Sequence, residues 1–353
     1  MLLLTILSYI GLGLAGLIAA YALYMIAVAV VPGFKVPRQP LGAGQQPAPR
    51  EAGGRTGFRE NVRFEVKGTM LSGWLYLPVK PPAAVPCIVM AHGLGATRAM
   101  GLDNYALCFQ EAGFAVLAFD FRHLGESGGE PRQLVWIPCQ QQDYTAAIAY
   151  ARSRAEIDSR RIALWGTSLS GGHVIAAAAG DHAIACVCAQ VPLLDGEAGR
   201  REMLHRLGLG TALRLTFGHA LRDLVRSWLG LPPHRIPLAA PPGSLAVMAD
   251  AGAYRAFSSL APADFRNEIC ARILIRMDKY KPVKYVAGVR CPLLLQVCEQ
   301  DIATPPALVN RAAALLGSRG EVIRYPIDHF DIYSGENFEK SVNDQLSFFR
   351  KHL

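Results

Sequence analysis

The sequence predicts an α/β protein with a mostly parallel central sheet covered by helices on both faces. Three observations carry this. Six short, mostly apolar segments, at residues 88–91, 115–119, 161–165, 184–189, 293–297 and 322–325, are separated mostly by helix-length spacers. Strands buried on both faces read this way, and crossover-length connections imply that they run parallel. The segment ending at Trp165 then passes through Gly166-Thr167-Ser168-Leu169-Ser170-Gly171-Gly172 into an alanine-rich helical pattern, a sharp strand-turn-helix that lifts a serine out of the sheet.

Taken in order, the chain opens on an unusual segment. No charged side chain occurs from Met1 to Phe34. A helix of that length crosses the ~30 Å hydrocarbon layer, so residues 1–31 are expected to be a transmembrane anchor. A cleaved signal peptide would show a basic n-region and an apolar stretch of only ~7–15 residues. A buried helix of a soluble core is rarely apolar on every face at this length. Gly11-Leu12-Gly13-Leu14-Ala15-Gly16 matches GxGxxG, but no βαβ context surrounds it, so it is not a dinucleotide site. Small residues at Gly11, Ala15 and Ala19, or at Gly16 and Ala20, permit anchor dimerisation. Lys35, Arg38 and Arg50 follow the segment while only the α-amine precedes it, which places the remainder on the cytoplasmic side of a single-pass membrane protein.

Residues 32–58 are rich in proline, glycine and alanine and read as a juxtamembrane linker. Residues 59–353 form the α/β domain. Extended segments at 62–67 and 71–77, with Gly68 between them, predict an antiparallel hairpin at its start. The alternation breaks at residues 193–262, where short amphipathic helices and a proline-rich stretch predict a cap inserted over the carboxyl edge of the sheet. Such an insertion walls a pocket. Peripheral helices without that role are the alternative.

Composition narrows the function classes. The net charge of +8 comes from scattered basic residues with no aromatic-interleaved stripe, which argues against nucleic acid and suits a surface near anionic lipid. Cys87, Cys186, Cys188, Cys291 and Cys298 fall in or beside apolar strand patterns, as small buried hydrophobes do, although an even count of eight also suits disulfides in an exported protein. Cys186-Val187-Cys188 lacks the partners of a zinc site, so no metal is expected.

A serine hydroxyl becomes a nucleophile only when an oriented base takes its proton. Ser168 occupies the turn; Asp301 follows the apolar LLLQVCEQ; His329 follows the strand pattern ending at Tyr325. The order Ser, Asp, His, each just beyond a strand, puts nucleophile, orienting carboxylate and base on one rim of a parallel sheet. Glu299 and Asp328 are the rival carboxylates, the first lying before its turn and the second beside His329 itself. Oxyanion donors are expected at the backbone N–H of Leu169, after the nucleophile, and of Leu94, in His92-Gly93-Leu94-Gly95. His92 is expected to play a supporting part and His173 a packed one, while Asp120 and Arg122 are expected to pair and fix the loop beside the pocket.

The motifs AHGLG, FDFRHLGESGG, WGTSLSGGHV, QVCEQDIATPP and YPIDHFDIYSGENFE span nearly all of residues 61–353 and resemble the α/β-hydrolase superfamily, in particular bacterial dienelactone-hydrolase or YcjY-like serine esterases. The resemblance implies an α/β-hydrolase fold with Ser168, Asp301 and His329 as the triad and Leu94 and Leu169 as the oxyanion hole. It implies hydrolysis of a carboxylic ester through an acyl-enzyme, with no cofactor; the membrane segment points to lipid or lysophospholipid esters. Acyl thioesterase or acyltransferase chemistry uses nearly the same apparatus, and a peptidase or a non-catalytic interaction protein on the same fold are further alternatives. One departure stands out: Ser170 occupies the position where the family's elbow places glycine.

Overall fold

Strand formation begins at Gly57. The computed structural model describes residues 2–30, 41, 57–79, 84–301, 304 and 307–353. Apart from Leu41, Gly57 and Phe58, the linker expected at 32–58 lies outside them. Helix α1 (Leu2–Val30) is followed by the antiparallel hairpin β1 (Gly57–Val66) and β2 (Thr69–Pro78), turning at Lys67 and Gly68. The core alternation then reads β3 (Val85–Ala91), α2 (Leu102–Glu111), β4 (Ala115–Phe119), α3 (Ile137–Ser153), β5 (Ile157–Thr167), α4 (Leu169–Gly180) and β6 (Cys186–Gln190).

Next comes a helical excursion. It holds α5 (Gly196–Leu207), α6 (Leu209–Leu213), a π-helical stretch Arg214–Ala220, α7 (Leu221–Trp228), the short β7 (Arg235–Ile236), α8 (Ala251–Leu260), β8 (Ile269–Cys270) and α9 (Ile273–Arg276). The chain returns to the sheet with β9 (Leu293–Cys298), α10 (Ala307–Leu316), β10 (Gly320–Tyr325) and α11 (Gly335–His352). The excursion thus continues past residue 262, because β7 and β8 pair and a buried ion pair ties α7 to the start of α9.

Eight strands form one sheet in the order β1-β2-β4-β3-β5-β6-β9-β10. The hairpin joins it antiparallel and the remaining pairs are parallel. Period-two alternation decides which face each side chain serves. Leu117 and Phe119 of β4 and Val89 of β3 face the α3–α4 layer, whereas Val116, Ala118, Ile88 and Met90 face the α2–α11 layer. Trp165 is fully buried in the latter, and its indole N–H donates to Gln345 of α11 at 3.0 Å. No disulfide joins the cysteines among the described residues.

Helix α1 contains a 23-residue span, Thr5–Ala27, with mean hydropathy 2.0 and none of it buried. It is long and apolar enough to cross a membrane. Its last turns touch the excursion: Tyr24 Oη donates to the Phe217 carbonyl at 3.4 Å and Arg226 Nη1 donates to the Ala29 carbonyl at 2.6 Å.

Candidate active site

Every side chain singled out for chemistry sits just past the carboxyl end of a parallel strand, where an α/β sheet gathers its ligand crevice. Ser168 links β5 to α4 with φ 56° and ψ −118°, a conformation that costs a non-glycine residue about 1–3 kcal/mol. Its neighbours hold it there. The Ser168 N–H donates to the Gln190 carbonyl and the Leu193 N–H to the Ser168 carbonyl, each at 2.9 Å. A Cβ on Gly166 would stand 2.3 Å from the Ser170 carbonyl oxygen, so the turn closes only over glycine.

Ser170 explains the departure at the elbow. Its hydroxyl is fully buried, accepts the Thr167 N–H at 2.8 Å and has the Ala91 and Thr167 carbonyls as acceptors at 2.7 and 3.0 Å. It therefore bolts the end of β5 to the end of β3, the two strands that deliver the nucleophile and the oxyanion loop. Glycine at this position would supply neither donor nor acceptor.

The structure brings Asp301 and His329 together. His329 Nδ1 lies 2.6 Å from Asp301 Oδ2, both side chains being almost fully buried. Thr304 donates its N–H to Asp301 Oδ1 at 2.7 Å and its hydroxyl to Oδ2, which fixes the carboxylate. Burial works against charge on both partners, but their mutual attraction prevails: His329 is raised above 6.5 and Asp301 is held below 3.8. With Asp301 ionised, the imidazole keeps its proton on Nδ1 and presents Nε2 as a base. Of the rivals, Asp328 accepts the His329 backbone N–H at 2.7 Å rather than its ring, and Glu299 is exposed.

Ser168 and His329 line one cavity of about 210 Å³ together with Leu94 and Leu169. Leu169 is the first residue of α4, so its amide belongs to the turn that no intrahelical carbonyl reaches. The Leu94 amide donates to no acceptor among the described residues. The loop carrying it can approach because residue 93 is glycine: a Cβ there would meet Ser168 Cβ at 3.2 Å and Oγ at 3.7 Å. The remaining wall is mostly apolar, with Met100 and Leu193 from the sheet side and Leu207, Val247, Phe257 and Leu260 from the excursion, and Arg200 and Asp250 as its charged members. The segment expected as a cap thus contributes directly to the cavity.

Other expectations resolve differently. Asp120 and Arg122 do not pair: Asp120 binds Arg98, and Arg122 Nε binds the buried Asp143 of α3 at 2.5 Å. The two lie just past the end of β4, where the chain has left the strand for a turn, so period-two alternation no longer sets a common direction for their side chains. His92 is neutral, its pKa lowered chiefly by burial, with Nδ1 beside the Gly93 carbonyl at 2.9 Å and Nε2 3.9 Å from Asp120. His173 is packed, between Tyr280 Oη at 2.7 Å and Gln140 Oε1 at 2.9 Å, and burial drops it to about 3.

Sequence reasoning missed the buried amides behind the elbow. Gln345 Nε2 donates to Gln190 and Gln296 at 2.8 and 2.6 Å, and Gln190 Nε2 donates to Thr167 Oγ1 at 3.2 Å. The network joins β5, β6, β9 and α11. A glutamine inside the apolar strand patterns VCAQ and LLLQVC was the available signal, since a buried amide requires partners.

A serine on a strained strand-helix turn, in a cavity partly lined by a helical excursion and on the rim that carries a buried acid–histidine pair, is the arrangement of the α/β hydrolases. Comparison with known proteins agrees. The chain is 40% identical over 293 residues to the quorum-quenching protein AidA of Acinetobacter baumannii, covering 82% of this chain and 94% of that protein. It therefore belongs to the α/β-hydrolase superfamily, and it is a hydrolase. A thiohydrolase of Eupenicillium brefeldianum is 26% identical over 310 residues, covering 83% of this chain and 94% of the relative. Residues 67–212 match the model of the X-Pro dipeptidyl-peptidase (S15) family. Among solved structures, DcsB in complex with its substrate analogue superposes with a TM-score of 0.71 at 24% identity, covering 84% of this chain and all of that one, a likeness of fold.

Proposed function

We propose that the chain is a serine hydrolase of carboxylic esters that works through an acyl-enzyme on Ser168. The observation that carries this is the cavity lined both by Ser168, on its strained turn, and by His329, whose Nδ1 is held by buried Asp301. His329 Nε2 takes the Ser168 proton as Oγ attacks the ester carbonyl. The amides of Leu94 and Leu169 receive the oxyanion, a contribution of about 2.7–4 kcal/mol per donor in comparable sites. Protonated His329 returns its proton to the departing alkoxide, and a water activated by the same nitrogen then releases the acid. Asp301 orients the ring and stabilises the imidazolium without itself taking a proton. This chemistry asks for no metal or cofactor.

The mostly apolar lining suits an uncharged acyl chain, the span Thr5–Ala27 supports a single-pass membrane protein, and Lys35, Arg38 and Arg50 after it support a hydrolase domain on the cytoplasmic side. Membrane-derived lipid or lysophospholipid esters fit both. A second reading is acyl thioester hydrolysis, supported by the thiohydrolase relative. The test is fluorophosphonate labelling of the membrane-bound protein, followed by turnover of p-nitrophenyl esters, acyl-CoAs and phospholipids. Ser168→Ala is expected to abolish labelling, and specific labelling that survives it would sink the assignment. Faster turnover of acyl-CoAs than of any oxygen ester would favour the second reading.

A further inference from the structure

The outward face of α6, the π-helical stretch and α7 is apolar where it has no need to be. Leu209, Leu213 and Phe217 follow one another at four-residue spacing and so share a side of the helical run, all exposed, Leu209 at 76%. The opposite side, with Ala212, Leu215 and Ala220, is buried in the domain. At the far end of α7, Trp228 is 65% exposed and Leu229 and Leu231 follow it into solvent.

This face meets the end of α1. Phe217 receives the Tyr24 hydroxyl, and Arg226, two residues before Trp228, takes the Ala29 carbonyl, one of the last in α1 that no intrahelical amide reaches. If α1 crosses a bilayer, its carboxyl end lies at the headgroup level, and these contacts hold the cap at the same height. Tyr21, Tyr24 and Trp228 are then the aromatic side chains that favour that level. Arg214, exposed, and Arg226, half-buried, flank this face, whereas Arg200 and Arg201 pair with Asp278 and Glu197 and Arg222 is buried. An aromatic and leucine-rich face edged by two arginines suits the surface of an anionic bilayer.

We propose that this cap face docks into the headgroup region of the bilayer that α1 spans, so that the active-site wall is seated on the membrane instead of being held above it by a tether. The inference rests on the membrane reading of α1. A bilayer is favoured over a second copy of the chain because the face continues directly into the exposed surface of α1. The consequence concerns substrate. Helix α5 lends Gly199, Arg200 and Leu207 to the cavity, and only Gly208 separates Leu207 from Leu209 on the docking face. Esters already partitioned into the membrane reach Ser168 over a short path.

The test uses the full chain in phosphatidylcholine–phosphatidylglycerol vesicles whose lipids carry bromine near the headgroup. The emission difference between the native protein and Trp228→Phe isolates Trp228 from Trp74, Trp136 and Trp165. Bromolipid is expected to remove most of that difference, and the triple variant L209S/L213S/F217S to restore it while hydrolysing a soluble ester as fast as the native chain. An unquenched Trp228 overturns the proposal, including the case in which two copies pair through this face. Extraction by alkaline carbonate reports separately on α1: a chain that is extracted refutes the spanning reading, and quenching alone then decides whether the face binds lipid.

Discussion

At the scale of single residues the site is a set of opposed costs. Ser168 is held in an unfavourable backbone conformation, and Ser170 is among the groups that hold it. Ser170→Ala removes the acceptor of the buried Thr167 N–H, an omission expected to cost about 1–3 kcal/mol. Thermal melts should therefore show a lowered midpoint, and kcat should fall more than KM rises because the elbow loosens. Unchanged melting would show that the hydroxyl contributes nothing to the turn. His329 gives a second prediction. The proposed mechanism requires its neutral form, so kcat/KM is expected to rise with pH through a pKa that Asp301 has raised above 6.5. Asp301→Asn removes the attraction and leaves burial, so the acid limb moves to lower pH while kcat drops by roughly ten-thousand-fold. A limb that stays in place would remove Asp301 from its assigned role.

Elements are positioned by a few buried ties. Asp223 in α7 accepts the His234 N–H at 2.7 Å, the Arg272 N–H at 2.9 Å and two guanidinium nitrogens of Arg272 at 2.6 and 3.0 Å, joining α7 to the starts of β7 and α9. Removing one partner of such a buried pair costs about 3–5 kcal/mol. Asp223→Ala is accordingly expected to open the cap to proteolysis ahead of the sheet, a difference limited digestion would read directly. In the sheet, Leu117→Ala in the fully buried β4 is expected to cost about 2–5 kcal/mol in global stability, measured by denaturant unfolding. Loss confined to the excursion in that variant would contradict the placement of Leu117 in the core between the sheet and the α3–α4 layer.

For the whole molecule, the acid–histidine pair makes stability depend on pH in a calculable direction. His329 is raised on folding, so its contribution is complete below 6.5 and disappears as pH climbs through the folded value. Asp301 is depressed, so its contribution is present above 3.8 and disappears as pH falls through its folded value. The pair therefore stabilises most between those limits. Denaturant midpoints against pH should show a weaker rise and fall in His329→Gln than in the native chain, and identical curves would mean that the pair is not coupled to folding.

The sequence by itself determined the strands, their parallel arrangement and the apolar span near the N-terminus, because each rests on local periodicity and on burial of continuous apolar runs. The placement of Ser168, Asp301 and His329 beyond strand ends was legible for a related reason: a strand end fixes where the next residue must emerge. Tertiary structure alone decided which partners meet. It paired Asp120 with Arg98 and Arg122 with Asp143, made Ser170 the bolt between β3 and β5, and assembled Gln190, Gln296 and Gln345 into one network. These contacts join residues as much as 155 positions apart. Their geometry depends on the register of the sheet and the seating of helices on it, which no local pattern encodes.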